Sequence, residues 1–449
     1  MTMSTPKIFV GKPVEDSPID TLDSLHHKLL QALKGSDATR PETIEQIRDT
    51  IRSMLPKVDT CGSLPQKKTP GGRTNVLHIN YVQTPQSGET ELGYLRFFAS
   101  IATALGLRLE ILTDPSCRDG VEQELTSEAY KALRYAIAES QKPVSKWAED
   151  SVEYLENGNV AVLRHLDDSL LEWAMIKGRR HRWQGKIDPE NFDEALREDR
   201  LWILLGVRVN ALEMGSEREY AEQTKKRRVS HIRTYIEGGN MIAGEDASGR
   251  SIVLVGRDAI ATTAHIYQLS EKAVRRLICE DFGLDTIEQV VCVEQPGQFH
   301  LDMGMLFLGN GIVVVNDSRE ALKDAVEMAQ LAPCLTTEKM AAKLQLQCSL
   351  EQDAVNDLDS AGLSVKRKKL ESDVLYNFFN GEFVEGSDGG SYYITNGGPK
   401  DHEETFATLM TTEWQVVKKV FFSPQPIAQK SLQDRGGVGC RIKGERVSL

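Results

Sequence analysis

No stretch of this 449-residue chain approaches the roughly 20 consecutive apolar residues that a membrane-spanning helix needs. The opening residues, MTMSTPKIFVGKPVEDS, lack a charged stretch followed by an apolar core, so no Sec-type signal is read there. Positive charge is in deficit as well. A net charge of -12 argues against a general nucleic-acid binder, which carries a basic face. These absences point to a cytoplasmic protein with neither membrane nor nucleic acid as a partner. The seven cysteines, at 61, 117, 279, 292, 334, 348 and 440, form no CxxC pair, which leaves no zinc pattern and fits a reducing compartment. Cys279 and Cys292 sit in apolar contexts and read as core residues. No G-x-G-x-x-G follows the first strand and no Walker-type loop exists, which sets aside dehydrogenase and kinase readings.

What is present is a soluble composition, 40% hydrophobic and 27% charged. Residues 1–74 read as a helical accessory segment, with helical patterns over Ile19–Leu33 and Pro41–Leu55 and then a polar linker, Cys61–Arg73. From Thr74 onward, short β-branched runs alternate with amphipathic helices. Five ββαβ-like units are read. The first takes strands at Val76–Val82 and Leu109–Thr113 around a helix at Glu91–Leu105. The second takes Asn159–Leu163 and a helix near Asn191–Leu204. The third takes Tyr235–Ala243, Ser251–Gly256, a helix at Ser270–Phe282 and Val290–Val293. The fourth takes Asp302–Leu308, Gly311–Asn316 and a helix at Ser318–Gln330. The fifth takes Ser391–Thr395, a helix at Glu403–Glu413 and Val416–Phe422. This alternation predicts a mixed α/β fold, and the repetition suggests a closed, pseudo-symmetric array without free sheet edges. A polar stretch around 331–390 reads as an insertion. Its basic run, Lys366–Lys369, reads as a solvated helix face, and Glu385–Gly390 reads as a turn.

Four segments carry groups that chemistry could use, each at a strand end or in a turn. Arg435-Gly-Gly-Val-Gly-Cys440-Arg441 puts three glycines just before a cysteine, where the backbone can approach a ligand closely. Arg435 and Arg441 would stabilise a thiolate there, although a tail with an incidental cysteine would look the same. In Gly297-Gln-Phe-His300-Leu-Asp302-Met303, a strand would place His300 and Asp302 on one face. Tyr235-Ile-Glu237-Gly-Gly-Asn240 ends an apolar run with a carboxylate before two glycines. Lys146-Trp147-Ala-Glu-Asp150 offers a flat apolar wall and an acceptor for a planar cation. Together these groups match the needs of guanidinium chemistry. A planar, multi-donor cation calls for carboxylates, its central carbon for a soft nucleophile, and its leaving amine for a proton donor.

On WAED (147–150), IEGGN (236–240), FHLDM (299–303) and RGGVGC (435–440), taken in that order, the chain resembles the pentein superfamily of guanidino-group-modifying enzymes. The superfamily includes agmatine, arginine and peptidylarginine deiminases and amidinotransferases. The W-x-x-D and E-G-G-N segments are most similar to the agmatine and peptidylarginine branches, and R-G-G-x-x-C to the arginine branch. The resemblance implies a five-bladed α/β propeller of ββαβ units with an N-terminal helical extension, the catalytic domain spanning 75–449. It implies Cys440 as nucleophile through a thiouronium intermediate, His300 as general acid and then base, and Glu237 orienting His300 or the substrate. Asp150 and Asp302 would clamp the guanidinium, with Trp147, Asn240 and Arg435 as further substrate contacts. No metal or organic cofactor is expected, and calcium regulation is unsupported because no acidic calcium loop is found. The implied activity is hydrolysis of agmatine, arginine or peptidyl-arginine with release of ammonia, so the partner would be a small guanidino compound or an arginine-containing protein. Arg227 and Arg228 are candidates to receive an α-carboxylate. An amidinotransferase using the same residues, and a non-enzymatic interaction protein of the same fold, remain alternatives, and homo-oligomerisation is left open. Two features depart from the pattern: Gly439 stands where the agmatine branch has a His, and neither residues 1–75 nor 331–390 match anything in the superfamily.

Overall fold

The computed structural model describes residues 24–25, 41–58, 60, 62–83, 88–163, 211–267, 269–296, 300–372, 375–434 and 436–447. Its packing divides the chain into two compact units, Met1–Asp59 and Thr60–Leu449. In the first unit, helix α1 (Pro41–Met54) is continued by a 3-10 turn, Leu55–Lys57, close to the helix read from the sequence. Of the other expected N-terminal helix only residues 24 and 25 are described, both helical, and the helix near 191–204 lies outside the described residues.

Among the described residues, the second unit is built from five small sheets and one two-stranded hairpin. In the first sheet β1 (Val76–Tyr81), β2 (Arg108–Thr113) and β3 (Arg134–Glu139) run parallel, with α2 (Gly88–Leu105) crossing from β1 to β2. Glu89 and Glu91 in the first turn of α2 complement the positive end of its dipole. A four-residue helix, α3 (Ala148–Ser151), leads directly into the second sheet, β4 (Val152–Tyr154), β5 (Val160–Val162) and β6 (Val229–His231). The third sheet is β7 (Met241–Glu245), β8 (Ser251–Gly256) and β9 (Val290–Val293), with α4 (Arg257–Tyr267) and α5 (Glu271–Phe282) between β8 and β9. The Ser270 hydroxyl caps α5 by accepting from the Ala273 N–H at 3.2 Å.

The fourth sheet is β10 (Met305–Gly309), β11 (Ile312–Val315) and β12 (Ser364–Arg367), with α6 (Arg319–Leu331) and the 26-residue α7 (Leu335–Ser360) in its crossover. After a small hairpin, β13 (Glu371–Ser372) and β14 (Tyr376–Asn377), the fifth sheet takes β15 (Gly381–Glu385), β16 (Ser391–Thr395) and β17 (Lys419–Phe422) around α8 (Lys400–Thr408). A last strand, β18 (Ile442–Glu445), returns to pair antiparallel with β1.

All five sheets share one local order. The first two strands are antiparallel, and the third runs parallel to the second after a crossover. In the first sheet β18 fills the antiparallel place beside β1. Apolar side chains from strands and crossover helices fill the cores between them, among them Phe98, Phe282, Phe307 and Phe406, all at 1% exposure or less.

Three expectations change. The run 331–390 is not simply an insertion: β12 completes the fourth sheet and β15 begins the fifth. The basic run 366–369 is not a helix face, because its first two residues close β12. Of the expected linker, residues 62–73 pack into the second unit. Pro65 bridges Leu155, the Gln66 N–H donates to Tyr154 O at 2.8 Å, and the Lys68 N–H donates to Ala243 O at 2.9 Å.

Candidate active site

The turns that lead into the first strands of these modules carry the candidate groups. Asp150 precedes β4, Glu237 precedes β7, His300 and Asp302 precede β10, Asn380 precedes β15, and Cys440 precedes β18. The same place in the repeat therefore contributes a polar side chain five times, and contacts among these turns bring them to one locus.

Cys440 lies in a single helical turn, α9 (Val438–Arg441), between the glycines and β18. Two asparagines hold that turn by its backbone. Asn396 Oδ1 accepts from the Val438 N–H at 2.9 Å, and Asn380 Oδ1 accepts from the Gly439 N–H at 2.8 Å and the Cys440 N–H at 3.4 Å. Gly437 permits this approach, since a Cβ there would lie 2.4 Å from Asn396 Nδ2 and 2.6 Å from Asn380 Oδ1. The other end of the Asn380 amide, Nδ2, donates to Asp302 Oδ2 at 2.6 Å and to Cys440 Sγ at 3.3 Å. Carboxylate and thiol thus share one nitrogen.

His300 and Asp302 do not share a strand face as expected. His300 is the extended residue that starts a 3-10 turn, Leu301–Met303, and β10 begins only at Met305. Glu237 likewise precedes a 3-10 turn, Gly238–Asn240, rather than lying in a strand. The two turns meet. His300 Nε2 is hydrogen-bonded to Glu237 Oε2, and a Cβ on Gly239 would lie 2.5 Å from His300 Nδ1 and 3.0 Å from Asp302 Oδ1. Burial works against charge on His300, but the Glu237 carboxylate and its hydrogen bond, helped by Asp150 and Asp302, raise the imidazole to about 9. It is an imidazolium at neutral pH.

Cys440, 3% exposed, is pushed well above an ordinary thiol by burial first, then by Asp302 and Asp150, with the Gly437 and Asn380 hydrogen bonds pulling weakly the other way. The Arg441 side chain, expected to help, is held by other partners. Its Nη1 pairs with buried Glu91, its Nε donates to Ser431 Oγ at 3.0 Å, and its guanidinium lies 4.3 Å from the Tyr94 ring centroid. Arg435 lies outside the described residues.

Asp150 acts on both His300 and Cys440 through its charge, which puts it in the same locus. Trp147 does receive a planar cation, but that cation is the chain's own Arg441, 4.9 Å from the ring centroid, with Lys146 Nζ at 4.5 Å. The Asn240 amide packs against Gly256, where a Cβ would lie 1.9 Å from its Oδ1. Of the basic pair before β6, Arg227 is tied to Glu445 and to the Gly158 carbonyl, both at 2.5 Å.

Behind Asp302 and Gly439 lies a cavity of about 30 Å³, room for a water or two, bounded by Lys68, Glu149 and Glu382. Burial raises Asp302 to about 6 against the opposing pull of His300, and raises Glu382 to about 8. Among the described residues no three His, Cys, Asp or Glu side chains are grouped to hold a metal, and no helix is long and apolar enough to cross a membrane. Asn380, Asn396, Lys68 and Glu382 were not singled out from the sequence. The one signal for the asparagines is that each stands before glycine beside a strand, at Asn380-Gly381 and Asn396-Gly397, which reads as an ordinary turn.

No family model matches the chain, and no curated protein matches its sequence. Solved structures do match in fold. An agmatine deiminase of C. jejuni aligns over 86% of this chain and 96% of its own, with a TM-score of 0.52 and 12% identity. The agmatine deiminase of Enterococcus faecalis aligns over the same shares, with a TM-score of 0.52 and 11% identity. The mixed α/β fold of small sheets and helices is thus similar to that of agmatine deiminases.

Proposed function

We propose that the chain is a cysteine-dependent deiminase that hydrolyses a guanidinium group and releases ammonia, with agmatine as the first candidate substrate. The observation that carries this reading is the meeting of a buried thiol, a Glu-paired imidazolium and two carboxylates in one locus of an α/β fold similar to agmatine deiminases. The five like modules, with β18 completing the first sheet, also support arrangement as blades of a closed propeller whose axis carries the site.

The chemistry follows from the charges. Asp150 and Asp302 accept N–H bonds from the substrate and give its cation a buried counter-charge. That cation cancels the two charges that add to burial in keeping Cys440 protonated, so the thiol gives up its proton to solvent water as the substrate binds. The thiolate forms a bond to the central guanidinium carbon. His300 gives its proton to the departing nitrogen, the C–N bond breaks, and ammonia leaves behind an S-linked thiouronium. His300, now neutral, takes a proton from water as its oxygen attacks the same carbon; the C–S bond then breaks while the new hydroxyl's proton passes to the departing sulfur, which releases the urea product and restores the Cys440 thiol. Glu237 holds the imidazole in orientation throughout. Arg227, one of the candidates for an α-carboxylate, is already committed to Glu445.

Intact-protein mass spectrometry after treatment with a haloacetamidine tests the reading. One adduct on Cys440, blocked by excess agmatine, is the expected result, and the protecting compound identifies the substrate class. Labelling spread over several cysteines, or no protection by any guanidino compound, would overturn it.

A further inference from the structure

The Lys68 side chain reaches from the Leu64–Arg73 strap to a position beneath the site, where it is largely enclosed. An ammonium group has three N–H donors. Those of Lys68 go to Glu149 Oε1, to the Gly238 carbonyl at 3.0 Å and to the Met241 carbonyl at 3.1 Å, so every donor is used. Glu149 is the neighbour of Asp150 in α3, whereas Gly238 and Met241 bracket the turn that follows Glu237 and carries Gly239. The strap itself is fixed on both sides by backbone hydrogen bonds, to Tyr154 at the end of β4 and to Ala243 within β7. The Gln66 amide adds bonds to the carbonyls of Leu155 and Arg446.

We infer that Lys68 is a positioning residue for this site, pinning the turn that bears Asp150 to the turn that bears Glu237 and supplying a fixed positive charge behind Asp302. The inference rests on the guanidinium-hydrolase reading given above. Lys68 touches no substrate in this scheme. It acts through the groups it holds, and two turns that face each other across a reacting carbon need such a tie, because a displacement of about 1 Å can cost on the order of a hundredfold in rate.

The charge matters separately from the tie. Asp302 is faced by His300, Glu149, Lys68, Asn380, Cys440 and Tyr393. Of these, His300, Lys68 and Asn380 favour its ionised form, and Glu149 opposes it. Lys68 itself is answered by Glu149, Glu153 at 3.5 Å and Glu382, with Lys443 sharing the first two carboxylates. A neutral side chain at position 68 therefore leaves Asp302 harder to ionise.

The test is the pH dependence of kcat/KM, with kcat and KM separated, for wild type, K68M and K68R in the full chain with agmatine. K68M is expected to raise KM about tenfold or more and to move the acid limb up by about one unit. K68R keeps the charge but not the three-point ammonium geometry, so its acid limb should stay in place while KM rises. A merely structural lysine would lower the melting temperature and leave KM and the limb where they were, and that result would overturn the role. If K68M does not fold, K68M/E149Q removes both charges of the pair; a raised KM supports the pinning role and a wild-type KM refutes it. A wild-type protein inert to guanidino compounds would overturn the deiminase reading itself. Normal wild-type turnover beside an unaltered K68M would overturn only the role of Lys68.

Discussion

Asn380 Nδ2 lies 3.3 Å from Cys440 Sγ while the same amide, through Oδ1, accepts the backbone N–H of Gly439 at 2.8 Å. One side chain thus fixes both the sulfur and the turn that carries it. Asn380→Ala leaves Asp302 Oδ2 without its Asn380 donor and the Cys440 turn with only one of its two asparagine acceptors, that of Asn396. We expect a loss of kcat/KM of about a hundredfold and a destabilisation of about 2 kcal/mol, measured by ammonia release and by thermal melting.

Replacing Asp150 with Asn turns a charged clamp into a neutral hydrogen bond and removes one of the two charges that hold the Cys440 thiol up. KM should rise about tenfold or more because the guanidinium loses a charged partner. Haloacetamidine labelling of Cys440 should also lose its protection by agmatine. Unchanged affinity would mean that Asp150 does not meet the substrate.

The pH profile of kcat/KM should be bell-shaped. Its acid limb, near 6, reports Asp302, which must be ionised to hold the cation; its alkaline limb, near 9, reports His300, which must be protonated to expel the amine. In Glu237→Gln the charge that raises His300 is gone while its burial remains, so the alkaline limb should fall by about one to three units. A limb that stays near 9 in this variant would separate Glu237 from the titration of His300.

Glu382 supplies a prediction about stability. Its folded-state value, about 8, stands above the ordinary 4.5, so the folded protein keeps a proton that the unfolded chain has released between those limits. Its contribution is complete below about pH 4.5, declines as pH rises and is lost once pH passes about 8. Glu382→Gln removes this decline. The variant should match wild type near pH 4.5 and melt about 2 °C or more above it at pH 8.5, as differential scanning calorimetry would show.

The repeat was legible because its strands and crossover helices carry the right periods, as with Val290–Val293 and Ser391–Thr395, whose expected and observed bounds coincide. The failures have physical causes. Ser364–Arg367 is a half-exposed, Lys- and Arg-bearing strand behind a 26-residue helix, so its pattern resembles a solvated segment more than a sheet edge. Tyr235–Asn240 and His300–Met303 look apolar enough for strands, yet each is bent into a turn because close packing between the two turns wins over local preference.

Among the candidate groups, those in recognisable motifs, Cys440, His300, Glu237, Asp150 and Asp302, lie at one locus. The supporting residues were invisible because their partners are remote in sequence. Lys68 is 170 positions from Gly238, and Asn380 is 60 from Cys440. A lysine in Gln66-Lys-Lys-Thr-Pro-Gly-Gly, or an asparagine before glycine, has the composition of any loop until the fold supplies its neighbour.

On the deiminase reading, the pairing of β18 with β1, Ile442 opposite Ile79 through Glu445 opposite Val76, joins the turn that would carry the nucleophile to the first sheet. Every other member of the site is synthesised before the turn that holds Cys440, and that turn is seated by the docking of the strand after it. A chain still being made has its imidazole and carboxylates in hand but no sulfur for them to act on. On that reading the site is whole only once β18 has docked against β1, and a copy without that pairing would not turn substrate over.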